Sequence, residues 1–158
     1  MMCAKCIARV ALTLCLLTFS LSTLSQEDLS DKSLSSLVTD FYSAFAIGDV
    51  GRLTQLSSKD IVWEAQSSLP TGGTFVGLDA VIENVFEKIK FYAPGFTIEP
   101  VEIYQANGVV FVVISVGFDG AEKSRGMQVF FFEDQKVVRY MGFFDTLAIT
   151  SAITRMPD

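Results

Sequence analysis

Histidine does not occur in this 158-residue chain, and its three cysteines, Cys3, Cys6 and Cys15, all fall within the first 15 residues. The first absence excludes Ser-His-Asp and Cys-His nucleophiles. A zinc or transition-metal site would have to be built from carboxylates alone, against the preferences of those ions. No metal and no cofactor is therefore expected. Basic residues are also scarce, 12 against 18 acidic ones. That balance disfavours nucleic acid as a partner, because phosphates would be repelled. "GTFVG" is a lone glycine pair, so a phosphate-loop fingerprint is missing too.

What is abundant is apolar side chain, half of the composition. Part of it belongs to the opening segment, where Lys5 and Arg9 precede an apolar run from Val10 to Leu24 that closes on the small residues Thr23 and Ser25. This order is that of a secretory signal peptide. The run is shorter than the roughly 18 to 20 residues of a spanning helix. Residues 1–25 are accordingly expected to be cleaved, leaving a secreted chain, extracellular or periplasmic, with no membrane contact, no cysteine and no disulfide. Loss of Lys5 and Arg9 would leave 10 basic residues against 18 acidic ones, a net charge of −8. Residues 26–33, "QEDLSDKS", read as a polar connector to a single domain over 34–154.

Within that domain the apolar period is first helical. Leu34, Leu37, Val38, Phe41, Ala44 and Phe45 form one stripe; Gly48 ends the helix and Asp49 caps a short second one carrying Val50, Leu53 and Leu56. "DIVWEAQ" reads as a strand and "SSLPTGGTFVG" as a turn-rich loop or hairpin. Leu78, Val81, Ile82, Val85, Phe86 and Ile89 then predict a third helix. From Phe96 the period becomes that of strands, punctuated at Asn107-Gly108, Asp119-Gly120 and Glu133-Asp134, with Pro100 suited to an edge or a bulge. The order predicts an α+β domain in which three helices cover one face of a strongly curved antiparallel sheet.

The arrangement, with "FYSAFAIGDVGRLTQLSSKDIVWEA", "GGTFVGLDAVIENVF" and "KVVRYMGFFDT", resembles the SnoaL-like branch of the nuclear transport factor 2-like superfamily, which includes polyketide cyclases and ketosteroid isomerase. The resemblance runs from about Leu34 to Ser151. It implies a cone-shaped, cystatin-like α+β barrel around a pocket, often dimeric. Activity does not travel with the fold. Ketosteroid isomerase uses an Asp base with a Tyr and a protonated Asp as oxyanion donors. Those positions fall here on Ala65, Phe41 and Gln128, so none of the three is kept. Gln128 retains a hydrogen-bond donor but has no proton to give. The cyclases' acid/base aspartate would correspond to Asp145, without a histidine to help it.

Asp145 is thus the candidate catalytic residue, with a second reading as the N-cap of a terminal helix. Trp63, Gln128, Phe130, Tyr140 and Phe144 are the candidate ligand-binding residues. Trp63 is either a flat wall for a ring or plain core. Gln128, alternating with Phe130 and Phe132, is costly to bury without a partner. Tyr140 either orients a ligand or reaches solvent. Arg139 is expected to ion-pair on the outer face, and Glu64 to be solvated. Two functions stand: a secreted domain binding a small apolar, cyclic molecule, with or without acid/base isomerase, cyclase or lyase chemistry, and a non-catalytic binding or dimerisation module. Because both faces of "GVVFVVISVGF" are apolar, a homodimer through the sheet is expected.

Overall fold

The structure, a computed structural model, describes residues 25–93, 95–118 and 122–153. The signal-peptide reading and the Asp119-Gly120 turn lie outside them. Helix α1 spans Ser25–Ile47 and absorbs the connector, which lacks any glycine or proline that would stop a helix. The compact unit begins at Asp31. From there α1 buries Val38, Phe41, Tyr42 and Ala44 against the core. It ends at Gly48, whose φ of 69° only glycine adopts without cost. Helix α2 (Val50–Leu56) starts on the Asp49 cap, whose carboxylate accepts the Arg52 N–H at 2.9 Å. It buries Leu53 and Leu56.

Strand β1 (Ser57–Ala65) pairs with the short edge strand β2 (Gly73–Val76). The third helix is continuous but not uniform. It opens as α3 (Leu78–Val81), widens through a π-helical segment at Ile82–Phe86, and closes as α4 (Glu87–Tyr92). Such π-turns are rare and shift which side chains face inward. Here they bury Val85 and the adjacent Phe86 together.

The meander follows: β3 (Thr97–Ala106), β4 (Val109–Gly117), β5 (Ser124–Glu133) and β6 (Lys136–Phe143), before a terminal helix, α5 (Thr146–Ala152). Asn107-Gly108 makes the β3–β4 turn with both φ angles positive, the backbone of a tight hairpin. The β5–β6 turn falls one residue beyond the expected position, on Asp134 and Gln135, also at positive φ.

Spatial order is β2-β1-β6-β5-β4-β3. Every neighbouring pair is antiparallel except β1 and β6, which run parallel with Trp63 beside Tyr140 and Ala65 beside Gly142. The long crossover between these strands makes that direction possible. Register shifts between Pro100 and Glu102 and between Phe131 and Phe132 mark bulges, which bend strands and curve the sheet. Pro100 therefore sits at a bulge in an edge strand. The sheet remains open, with β2 and β3 as its edges.

Alternation divides the sheet cleanly. Val110, Val112, Ile114, Gln128, Phe130, Tyr140 and Trp63 face the helices and are buried. Phe111, Met127, Phe143 and Tyr104 are left exposed on the other face. On that outer side Arg139 donates to Glu64 at 2.8 Å and lies over the Phe131 ring, so Glu64 is paired rather than simply solvated. No helix among the described residues is long and apolar enough to cross a membrane.

Candidate functional site

Cross-strand register sets the floor of the site. Ala65 on β1, Gly142 on β6 and Gln128 on β5 lie side by side in one row, and Trp63, Tyr140 and Phe130 form the next. Two of the positions matched to the isomerase, Ala65 and Gln128, therefore flank Gly142. The third, Phe41, faces them from α1. Phe41, Trp63, Ala65, Gln128 and Tyr140 line an apolar cavity of about 70 Å³. Val85 and Ile89 of the third helix, Leu69 and Pro70 of the loop after β1, and Phe144 and Ile149 around the start of α5 complete the wall.

Gly142, at the centre of the row, leaves room for two neighbours. A Cβ there would stand 2.6 Å from the Phe144 ring and 2.8 Å from the Tyr140 hydroxyl. The Tyr140 side chain thus leans over Gly142, toward the row that holds Gln128. The Tyr140 ring is stacked on Trp63, with centroids 3.6 Å apart and planes 17° from parallel. Phe130 meets it edge-on at 5.3 Å. A ring clamped in this way holds its hydroxyl in one place.

The partner of Gln128 is Tyr42, whose hydroxyl donates to Oε1 at 2.5 Å. This bond satisfies the buried amide oxygen that made Gln128 conspicuous in the sequence. It leaves the amide nitrogen unspent. Among the described residues neither that nitrogen nor the Tyr140 hydroxyl has a protein partner, and neither is sealed away from the cavity. Two hydrogen-bond donors therefore border a largely apolar space, whose described lining also carries the hydroxyl residues Thr71 and Tyr92. Burial pushes the Tyr42 phenol well above its ordinary value; burial and the nearby Tyr42 do the same to Tyr140. Both are neutral donors at ordinary pH.

The candidate residues separate accordingly. Trp63, Gln128, Tyr140 and Phe144 line the cavity. Trp63 is core and wall at once. Phe130 shares their face but lies fully buried beneath the cavity, packed edge-on against Phe41, Tyr42 and Tyr140. Its expected place on the wall is corrected: Phe41 and Tyr42 cover it from above.

Of the two readings expected for Asp145, the geometry is that of the cap. Asp145 is exposed and is not among the residues lining the cavity. Its Oδ1 accepts the Ala148 N–H at 3.0 Å as the N-cap of α5. The first free N–H groups of a helix offer a carboxylate better solvation than an apolar pocket does. The strand end therefore turns Phe144 inward and Asp145 outward.

The residue that the sequence did not single out is Tyr42. It stands four residues after Val38 and so belongs to the same helical face; only its hydroxyl kept it off the apolar stripe.

A family model described as the SnoaL-like domain matches residues 38–140, well over half of the chain. The chain belongs to the SnoaL-like family. Solved structures agree on the fold. An NTF2-like protein from Burkholderia thailandensis E264 is 23% identical, with a TM-score of 0.66 over 75% of this chain and 95% of its own. An NTF2-like protein of unknown function from Burkholderia pseudomallei K96243 is 21% identical, with a TM-score of 0.68 over 78% and 98%. TerC, co-crystallised with polyporic acid, is 20% identical, with a TM-score of 0.67 over 78% and 99%. A search of curated proteins gives no match. At these identities the likeness to solved structures carries the NTF2-like fold alone. It carries no substrate.

Proposed function

We propose that this SnoaL-like domain is a secreted binding module for a small, uncharged, apolar molecule with a cyclic head bearing one acceptor oxygen. The observation that carries the reading is the pair of unspent donors, Gln128 Nε2 and Tyr140 Oη, in a cavity walled mainly by aromatic and aliphatic side chains, with Thr71 and Tyr92 also on its lining. An unfilled donor in such surroundings favours an acceptor and little else, because bringing in an apolar group leaves it unpaired. A charged ligand finds no counter-ion, since none of the described lining residues is a lysine, arginine, aspartate or glutamate.

The same inventory argues for binding without acid/base turnover. Proton transfer near neutral pH needs a group that titrates there. The phenols on the wall are held neutral, and Asp145 is occupied at its cap. Export is supported by the charge, apolar run and small residues of the first 25 positions. Self-association through the outer sheet face is supported by the exposed Phe111, Met127 and Phe143.

The chain contains a single tryptophan, and Trp63 forms part of the cavity wall. Its fluorescence is a built-in reporter. Titration with cyclohexanone should give a saturable change. Gln128→Leu should weaken binding about five- to tenfold, the worth of a neutral hydrogen bond of about 1 to 1.5 kcal/mol. A linear, non-saturating response in the wild type would reject the reading.

A further inference from the structure

The cavity is small for the ligand just described. About 70 Å³ is roughly half of the ~150 Å³ known to admit benzene in a dry protein core. Next to it lies a cleft of about 550 Å³, between the end of α1, α2, the third helix and the start of β3. The two spaces share Phe45, Ile89, Ala93, Phe96 and Ile98 as a common wall. Within that wall the Phe45 and Phe96 rings meet edge-to-face, with centroids 6.4 Å apart. Both are only half-buried. Each exchanges rotamers more readily than a fully packed core ring, and such hops occur on fast timescales.

We infer that the cavity and the cleft are two chambers of one site, joined when Phe45 and Phe96 swing apart, and that the site takes an elongated neutral amphiphile. This rests on the binding reading above. The oxygen-bearing ring sits by Gln128 and Tyr140, and an unbranched alkyl chain passes between the two phenylalanines into the cleft. Leu53, Phe86 and Ile98 give the chain an apolar bed there. Glu87 and Glu99 stand at the cleft, and no lysine or arginine is among the described residues lining either chamber. Glu99 is paired with Lys123 at 2.8 Å, so Glu87 is the acid that disfavours an anionic chain end such as a carboxylate, and the class is alkyl-substituted cyclic ketones or alcohols rather than fatty acids.

The test is a calorimetric series of cyclohexanone and its 4-ethyl, 4-propyl and 4-pentyl derivatives, with full-length or processed protein. Affinity should rise up to about fourfold per methylene, the equivalent of about 0.8 kcal/mol for each group buried. Ala46→Phe, at an exposed position of α1 bordering the cleft, fills the outer chamber. It should flatten that rise to within about twofold across the series, each derivative being referred to the variant's own cyclohexanone affinity. A wild-type series that binds cyclohexanone but is flat or falling with chain length overturns the two-chamber site and leaves the proposed function standing. A rise that survives Ala46→Phe intact places the chain elsewhere and likewise overturns it. Failure of every member to bind, cyclohexanone included, overturns both.

Discussion

Removing one hydroxyl from α1 should cost more than its size suggests. Tyr42→Phe deletes the donor to Gln128 Oε1, a 2.5 Å bond between two buried side chains, and leaves the amide oxygen without a partner. An orphaned buried polar group costs about 1 to 3 kcal/mol. Gln128→Leu strands the Tyr42 hydroxyl instead and should cost a similar amount. The double variant strands neither, since apolar replacement of both partners is nearly neutral. It should therefore return to within about 1 kcal/mol of wild type, a strongly non-additive cycle. In urea, with an m-value of about 2 kcal/mol/M, each single change should lower the midpoint by about 0.5 to 1.5 M, and the double should restore most of it. Single variants within about 0.5 kcal/mol of wild type, or a double equal to the sum of its parts, would refute the assignment of this bond as a buried and satisfied pair.

Gly142→Ala forces a methyl group to within 2.6 Å of Phe144 and 2.8 Å of the Tyr140 hydroxyl, so it should cost about 1 to 3 kcal/mol by overpacking and abolish cyclohexanone binding; thermal melts and Trp63 fluorescence read the two effects. Asp145→Ala removes the α5 cap and should cost about 1 kcal/mol, while Asp145→Asn should be almost silent in both stability and binding; a large binding loss in the Asn variant would return Asp145 to the site. Tyr42 and Tyr140 hold their protons more tightly folded than unfolded, so their contribution is intact below about pH 10 and is lost as pH rises above it toward the folded values. Alkaline unfolding followed by circular dichroism should start later in pH for Tyr140→Phe, once normalised to its own stability at neutral pH. Sedimentation at micromolar concentration should show a dimer that Phe111→Glu disrupts; a wild-type monomer throughout would reject self-association through the outer face.

The helices and the meander were legible because their apolar periods are local. Val38 and Phe41 recur at helical spacing, Val110, Val112 and Ile114 alternate, and Asn107-Gly108 has the chemistry of one turn type. The parallel contact of β1 with β6 was not legible, since strands that far apart in sequence carry no local mark of their pairing. In the site, Gln128 announced itself as an amide among phenylalanines, and Trp63 and Tyr140 as aromatics on the inward face. Depth was hidden: nothing in the alternation of Gln128 and Phe130 says that the cavity stops between them. Tyr42 escaped because a hydroxyl on a buried stripe looks like surface until its partner, 86 residues away, is known. Asp145 left two readings open because a cap and a pocket acid are written with the same residue at the end of the same strand.

On the proposed function, Tyr140 and Gln128 donate to a ligand oxygen inside the cavity. Cyclohexanone and methylenecyclohexane share a shape and differ in that oxygen, so calorimetry of both against wild type and Tyr140→Phe isolates the hydrogen bond from apolar burial. Tyr140→Phe should weaken cyclohexanone by about five- to tenfold, equivalent to about 1 to 1.5 kcal/mol, and leave methylenecyclohexane unchanged or slightly tighter. Equal changes for the two compounds, in either direction, would contradict the account.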